Sequence, residues 1–220
     1  MSMPTPNTIK IGGACGFWGD SSLGTEQLLK VPGIQYITYD YLAELTLAIM
    51  AGMRMKNPEH GYALDFIDLM KRTLPAAKSK GIKIIANAGG LNPAGCAAAL
   101  QQAMIEADHT IRIGVVSGDD ATGTLGQLRK DGVELRDQHS SQAAPPFFLT
   151  ANAYLGAFPI AAALDAGADI VITGRVVDSA MVLGALVHEF EWQTTDLNPL
   201  AQGSLAGHIV ECGAKATGGL

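Results

Sequence analysis

The run Gly81-Ile82-Lys83-Ile84-Ile85-Ala86-Asn87-Ala88-Gly89-Gly90-Leu91-Asn92-Pro93 contains a whole structural junction in thirteen residues. Gly81 closes an amphipathic stretch, and glycine is the residue that ends helices in the left-handed conformation. Residues 82–86 (IKIIA) are then almost continuously apolar, as a strand covered on both faces must be. Gly89 and Gly90 free the backbone to turn, Asn92 is a capping residue, and Pro93 suits the first position of a new helix. A helix, a glycine, a buried strand and a capped helix in that order define a βαβ unit.

The same grammar extends in both directions. Residues 8–14 (TIKIGGA), 36–39 (YITY), 111–116 (IRIGVV) and 168–173 (ADIVIT) are further strands that read as buried on both faces. Between them, residues 41–55 place Leu42, Leu45, Ile49 and Met53 on one helical stripe. Residues 63–80 do the same with Leu64, Ile67, Met70 and Leu74, with Pro75 expected to kink the helix. Gly167 repeats the role of Gly81. A helix follows at 93–106, and closing helices are expected at 153–166 and 177–189.

With five or six unevenly spaced strands, the pattern predicts an α/β protein with a doubly wound, mostly parallel open sheet of Rossmann-like type, helices on both faces. All of 1–220 reads as one α/β domain, with an irregular excursion at 131–152 that carries a short strand at 133–135 and Pro145-Pro146. The abrupt end at Gly218-Gly219-Leu220 leads us to expect that the natural protein continues.

Apolar residues make up 48% of the 220 and charged ones 16%, which is ample for a substantial core. A formal charge of −6 argues against a nucleic-acid partner, since phosphate binding needs a basic surface. Cys15, Cys96 and Cys212 show neither disulfide nor zinc spacing. No signal peptide and no apolar run of about 20 residues is visible, so the expectation is a cytoplasmic protein with no membrane partner.

In a parallel sheet the loops after the strands share one edge, where ligands bind. The first strand exits through Gly13, Cys15 and Asp20, and the second through Asp40. The third exits through Asn87, Gly89, Gly90 and Asn92, the fourth through Gly118, Asp119 and Asp120. The fifth exits through Gly174, Arg175 and Asp178. Asn152 and Glu211 are further candidates.

Each group has two readings. Gly13, Gly16 and Gly19 with Asp40 resemble a dinucleotide loop, yet the spacing is GxxGxxG, and Phe17 and Trp18 stand where pyrophosphate must come close. Asn92 and Pro93 make either a well-capped helix or an anion seat. Arg175 either holds a carboxylate or thioester phosphate, or pairs with Asp178. Asp119, Asp120 and Asp178 are candidate acid–base groups, and Asp119 and Asp120 with Asp20 could hold Mg²⁺; no metal ligands are assigned. Cys15 is a possible thiolate near a helix start or a small buried residue.

Four segments, DYLAELT (40–46), IKIIANAGGLNP (82–93), TANAYLGAFPIAAALDAGADIVITGRVVDSA (150–180) and HIVECGAKATGG (208–219), resemble the acyclic terpene utilisation, AtuA-type, family. The resemblance implies a role in the breakdown of terpenols such as citronellol and geraniol, whose branched skeletons are processed as CoA thioesters. It implies company with acyl-CoA carboxylases and enoyl-CoA hydratases, and it carries no catalytic assignment.

Three functions are therefore carried forward. One is an enzyme acting on a branched acyl-CoA or related carboxylate, lyase-, hydratase- or transferase-like, with a CoA thioester as substrate. Another is an NAD(P)-dependent oxidoreductase domain, which requires an open cleft at the first turn with Asp40 facing a ribose. The last is a non-catalytic accessory subunit of CoA-dependent enzymes. Self-association through the helix at 41–55 is also open.

Overall fold

The computed structural model describes residues 8–218. Among these, β1 (Ile11–Cys15), α1 (Leu23–Leu28), β2 (Tyr36–Tyr39), α2 (Glu44–Lys56), α3 (Leu64–Ser79), β3 (Lys83–Ala86) and α4 (Pro93–Glu106) follow in order. Then come β4 (Ile113–Val116), α5 (Thr122–Lys130), α6 (Phe158–Asp165), β5 (Ile170–Thr173), α7 (Ala180–Phe190), α8 (Leu197–Val210) and a 3₁₀ turn, Gly213–Thr217. The sheet is open and wholly parallel, in the order β1-β2-β3-β5-β4.

Alternation along the strands sorts side chains into two cores. Ile37, Tyr39, Ile84, Ala86, Ile170 and Ile172 pack beneath α2, α3 and α4. Tyr36, Ile85 and Val171 face the other way, onto α6 and α7. The helix after β3 thus lies on one face and the helix after the neighbouring β5 on the other. Their exit loops diverge, and a crevice opens between them at the strand ends.

Edge position modifies the expected burial. Strands β2 and β5 are buried throughout, but β1 and β4 are only partly so, and Val115 lies exposed on the outermost strand. Gly81 and Gly167 have positive φ (+70° and +86°), as helix terminators should.

Helix α2 is rotated relative to its expected stripe. Leu45 and Ile49 are 72% and 48% exposed, and Thr46, Leu47, Met50 and Ala51 are buried instead. The cause is local: Ala43 N donates to Thr46 Oγ1 (2.7 Å), which donates back to Ala43 O (2.8 Å). That cap fixes the first turn with Thr46 inward, so its neighbour Leu45 points about 100° away. In α3, Met70 and Leu74 are buried as expected. The stripe is completed by Phe66, Leu69, Thr73 and Ala77, while Leu64 is exposed and Ile67 half-buried. Helix α3 is assigned without interruption through Pro75.

Helices α6 and α7 begin later than expected. The preceding backbone is spent on ties between loops: Ala153 N to Asp119 O, Leu155 N to Arg175 O, and Val177 N to Leu155 O. The excursion at 131–152 forms no regular strand at 133–135; isolated bridges join Arg136 to Ala143 and Asn152 to Asp120. Helix α8 and the turn after it are absent from the sequence reading. No helix among the described residues is long and apolar enough to cross a membrane.

Phe66 is wedged edge-on against Tyr39 and Tyr41, with ring centroids 5.7 Å from each. Phe66→Ala should cost about 3–5 kcal/mol in urea unfolding. Leu45→Ala, on the outward side of α2, should change stability by less than about 0.5 kcal/mol. Equal losses at the two positions would contradict this helix orientation.

Candidate functional site

Parallel alignment brings the ends of β2, β3 and β5 side by side, and their polar exits meet there. Asp40 leaves β2 and is buried, with 3% of its surface exposed. Its Oδ1 accepts from Asn87 Nδ2 at the end of β3 (2.6 Å), while Asn87 Oδ1 accepts from Tyr41 N (2.6 Å). Asn87 therefore bridges two strand exits with both halves of its amide. Asp178, from the β5 exit, and Glu211, just after α8, complete the group. Carboxylate oxygens of Asp40, Asp178 and Glu211 all lie within 4.8 Å of one another.

One buried cation adjoins the cluster through Asp178. Arg175 is 4% exposed and brings Nη1 to 2.9 Å from Asp178 Oδ1 and 3.1 Å from Leu42 O. The Asp178 contact is close but misaligned, so Asp178 Oδ1 and Arg175 Nε are both buried without a completed hydrogen bond. Tyr154 closes the guanidinium from above, its ring centroid 4.1 Å from Cζ, and its hydroxyl donates to Glu44 Oε1 (2.8 Å). Solvent reaches the group through Asp178 and Glu211, whose side chains are 42% and 13% exposed.

Burial pushes the Asp40 carboxyl up to about 7. Its bond from Asn87 opposes the rise, and a shared proton with Glu211 and the charges of Asp178 and Glu211 add to it. Asp40 thus changes protonation near neutral pH. The cluster is also spaced as ligands of a divalent cation would be; all-oxygen donors suit Mg²⁺ or Ca²⁺ rather than zinc.

The remaining expected residues are placed as follows. Asp119 is buried and committed to holding the fold: its Oδ2 accepts from Asn152 Nδ2 (2.9 Å) and Arg175 N (2.8 Å). Gly174 makes this possible, because a Cβ there would stand 2.4 Å from Asp119 Oδ1. Asp120 Oδ1 caps Thr122 N (2.9 Å), and Gly118 turns the chain at φ +112°. Asp20 accepts from Gly16 N (3.0 Å) and Ser21 N (2.7 Å) within its own loop, so Asp20, Asp119 and Asp120 do not form a common cation site. Of the three expected acid–base carboxylates, Asp178 alone joins the cluster.

Asn92 Oδ1 caps Gly95 N (3.0 Å), and its amide nitrogen donates to Glu59 O (3.0 Å). The amides of Gly90, Leu91 and Asn92 are bonded to carbonyls of the chain itself, so this helix start is a tied turn. A Cβ at Gly89 would meet Thr173 O at 2.6 Å, and one at Gly90 would meet Gly61 O at 2.7 Å. Cys15 is buried, its thiol pushed well above its ordinary value by burial and then by the charges of Asp40 and Asp20. It carries no thiolate at neutral pH.

At the first turn the glycines admit the chain itself. A Cβ on Gly13 would stand 2.5 Å from Val210 O, and one on Gly16 would stand 2.7 Å from Cys212 O. Trp18 Nε1 donates to Asp65 (2.6 Å), and the neighbouring cavity, edged by Cys15, Tyr39 and Tyr41, measures about 170 Å³. Asp40 points inward to Asn87 instead of outward to a ribose. The geometry required for dinucleotide binding is not met.

Sequence reasoning missed Tyr154 and Glu44, although both stand inside segments quoted above. It missed that Glu211 arrives on a helix. The fold and cluster define an open α/β protein with a polar, carboxylate-rich centre at the switch in strand order. The family model for acyclic terpene utilisation family protein AtuA matches residues 9–220, nearly the whole chain, and the chain belongs to that family. No curated protein and no solved structure gives a significant match.

The Asp40 carboxyl has a definite signature. It keeps its proton to about pH 7 in the folded chain, against 3.8 ordinarily. Between these values the native state holds a proton that the unfolded chain has released, so the Asp40 contribution lowers stability as pH rises through the window and levels off above it. Urea unfolding across this range should show a flatter pH profile for Asp40→Asn than for wild type. Identical profiles would assign the titration elsewhere.

Proposed function

We propose that the chain carries the acid–base centre of an enzyme of acyclic terpene utilisation, acting on a branched acyl thioester or the related carboxylate. The observation that supports it is the convergence of Asp40, Asp178 and Glu211 within 4.8 Å, beside one buried guanidinium. Three carboxylates this close together do not all ionise at once, because like charges at this distance repel strongly where water is largely excluded. A proton is retained among them near neutral pH, and that proton can be given or taken. In this reading Asp40 is the proton-transfer group, Asp178 and Glu211 set its charge environment, and Arg175 and Asn87 are positioning residues. Lyase- or hydratase-like chemistry, which moves a proton at carbon or oxygen next to a carbonyl, is the reaction class that such a group serves.

The 4.8 Å spacing favours a second reading, in which the same oxygens hold a divalent cation that polarises a substrate carbonyl.

Isothermal titration of branched acyl-CoAs in buffers of different ionisation enthalpy separates these readings. Proton uptake or release on binding, near pH 7 and lost in Asp40→Asn, is expected of the acid–base centre. Binding without proton exchange in wild type would reject it. Stabilisation by Mg²⁺ or Ca²⁺ alone, abolished by Glu211→Gln, would decide for the cation; a cation at 100 times its Kd adds about 2.7 kcal/mol.

A further inference from the structure

A second cavity, of about 220 Å³, lies between the later turns of α2, the loop after β3, the start of α5 and the end of the 131–152 excursion. We infer that it seats the carboxylate of a monoanionic organic acid, held by Arg54, with the acid's apolar body along the rim formed by Met55 and Leu149. The inference rests on the reading above and deepens it, naming where an acidic substrate's charge is held.

Arg54 is the reason for the sign. It lines the cavity, and a single hydrogen bond, from Nη1 to Leu91 O (3.0 Å), holds its guanidinium in place. Among the described residues it has no ion-pair partner within 4.0 Å. A guanidinium carries five N–H donors in a rigid fork, so most of them remain to be matched. Fixing one edge through Leu91 leaves the fork oriented for a carboxylate in advance of binding, which lowers the entropic cost.

Asp120 sets the number of charges. It lines the same cavity, with Oδ1 committed to Thr122 N (2.9 Å). Its negative charge partly offsets that of Arg54, so the attraction an anion meets there is weak. Attraction rises linearly with ligand charge and the cost of desolvation with its square, which favours a single carboxylate over a phosphate carrying two charges. Asn152 and Thr122 supply further polar groups at the wall.

The lining also says what the rest of the ligand resembles. Met55 and Leu149 are 72% and 65% exposed, an apolar rim next to a cation. A hydrocarbon body covering them removes both from water, which an inorganic ion could not do. The cavity is coupled to the carboxylate cluster by one support: Asn152 Nδ2 donates to Asp119 Oδ2, which also accepts the backbone N–H of Arg175.

Calorimetry with hexanoate, 1-hexanol and inorganic phosphate tests the assignment in the full chain. Hexanoate should bind saturably, 1-hexanol and phosphate much more weakly, and Arg54→Gln should lower hexanoate affinity about tenfold or more. Arg54 is exposed, and an unchanged melt without ligand will show that the variant is folded. Asp120→Asn, which keeps the cap, should bring phosphate affinity up towards that of hexanoate. Phosphate binding as tightly as hexanoate in wild type would overturn the inference, as would hexanoate affinity unchanged in Arg54→Gln or absent in wild type. Asp40→Asn should leave hexanoate binding intact. Proton exchange in wild type without Arg54-dependent hexanoate binding would sink the Arg54 seat alone; Arg54-dependent hexanoate binding without proton exchange would sink the acid–base reading alone.

Discussion

Burial of the Arg175 guanidinium at the end of β5 constrains everything around it. A charge 96% removed from solvent must be matched by acceptors or counter-charge, since an unpaired buried ion costs several kcal/mol. Asp178 approaches it, Leu42 O accepts from it, and the Tyr154 ring covers its face. Its backbone N–H is taken by Asp119, itself held by Asn152. The loops after β2 and before α6 are thereby tied to its side chain, and the loop after β4 to its backbone. The edge of the sheet where the exits converge is consequently rigid and charged, and Asp40 titrates in the field that results.

Small residues let these loops come close enough. Gly174 makes room for the Asp119 carboxylate, and Gly13 and Gly16 let the backbone at 210–213 lie directly on the end of β1. That contact carries Glu211 to Asp40. Helix α8 takes part in the same way: its buried residues are Gly203 and Gly207, whose missing side chains admit Leu183 and Ser179 of the α7 region. The glycines that resemble a nucleotide-binding loop in the primary sequence thus serve close approach of the chain to itself. Chemically the requirement is the same, a backbone without a Cβ; the neighbour differs.

Local rules read the fold well where one element decides its own fate. The strand at 82–86, the Gly81 and Gly167 terminators and the Asn92 cap each depend on a few adjacent residues, and each is found as expected, with β3 one residue shorter. The α2 stripe misleads because Leu45 and Ile49 are apolar on a side that stays largely exposed. Thr46, a polar residue that periodicity ignores, fixes the rotation through its cap. Asp40 and Asp178 were legible as strand-exit carboxylates, and Glu211 as a further candidate. Their convergence was not, because 138 positions separate Asp40 from Asp178 and a helix unforeseen in the sequence brings in Glu211.

By itself the amino-acid sequence determined the class of fold, the edge at which polar groups gather and membership of the acyclic terpene utilisation family, since all three rest on patterns that repeat or persist along the chain. Tertiary structure alone decided which carboxylates lie together. Asp119 and Asp120 look equivalent to Asp178 in sequence, yet hydrogen bonds from Arg175 N, Asn152 and Thr122 hold them in structural roles, while Asp178 meets Asp40 and Glu211. The physical reason is that a carboxylate's chemistry is set by the donors and charges within a few ångströms, and those neighbours come from strands whose order in the sheet is not their order in the chain.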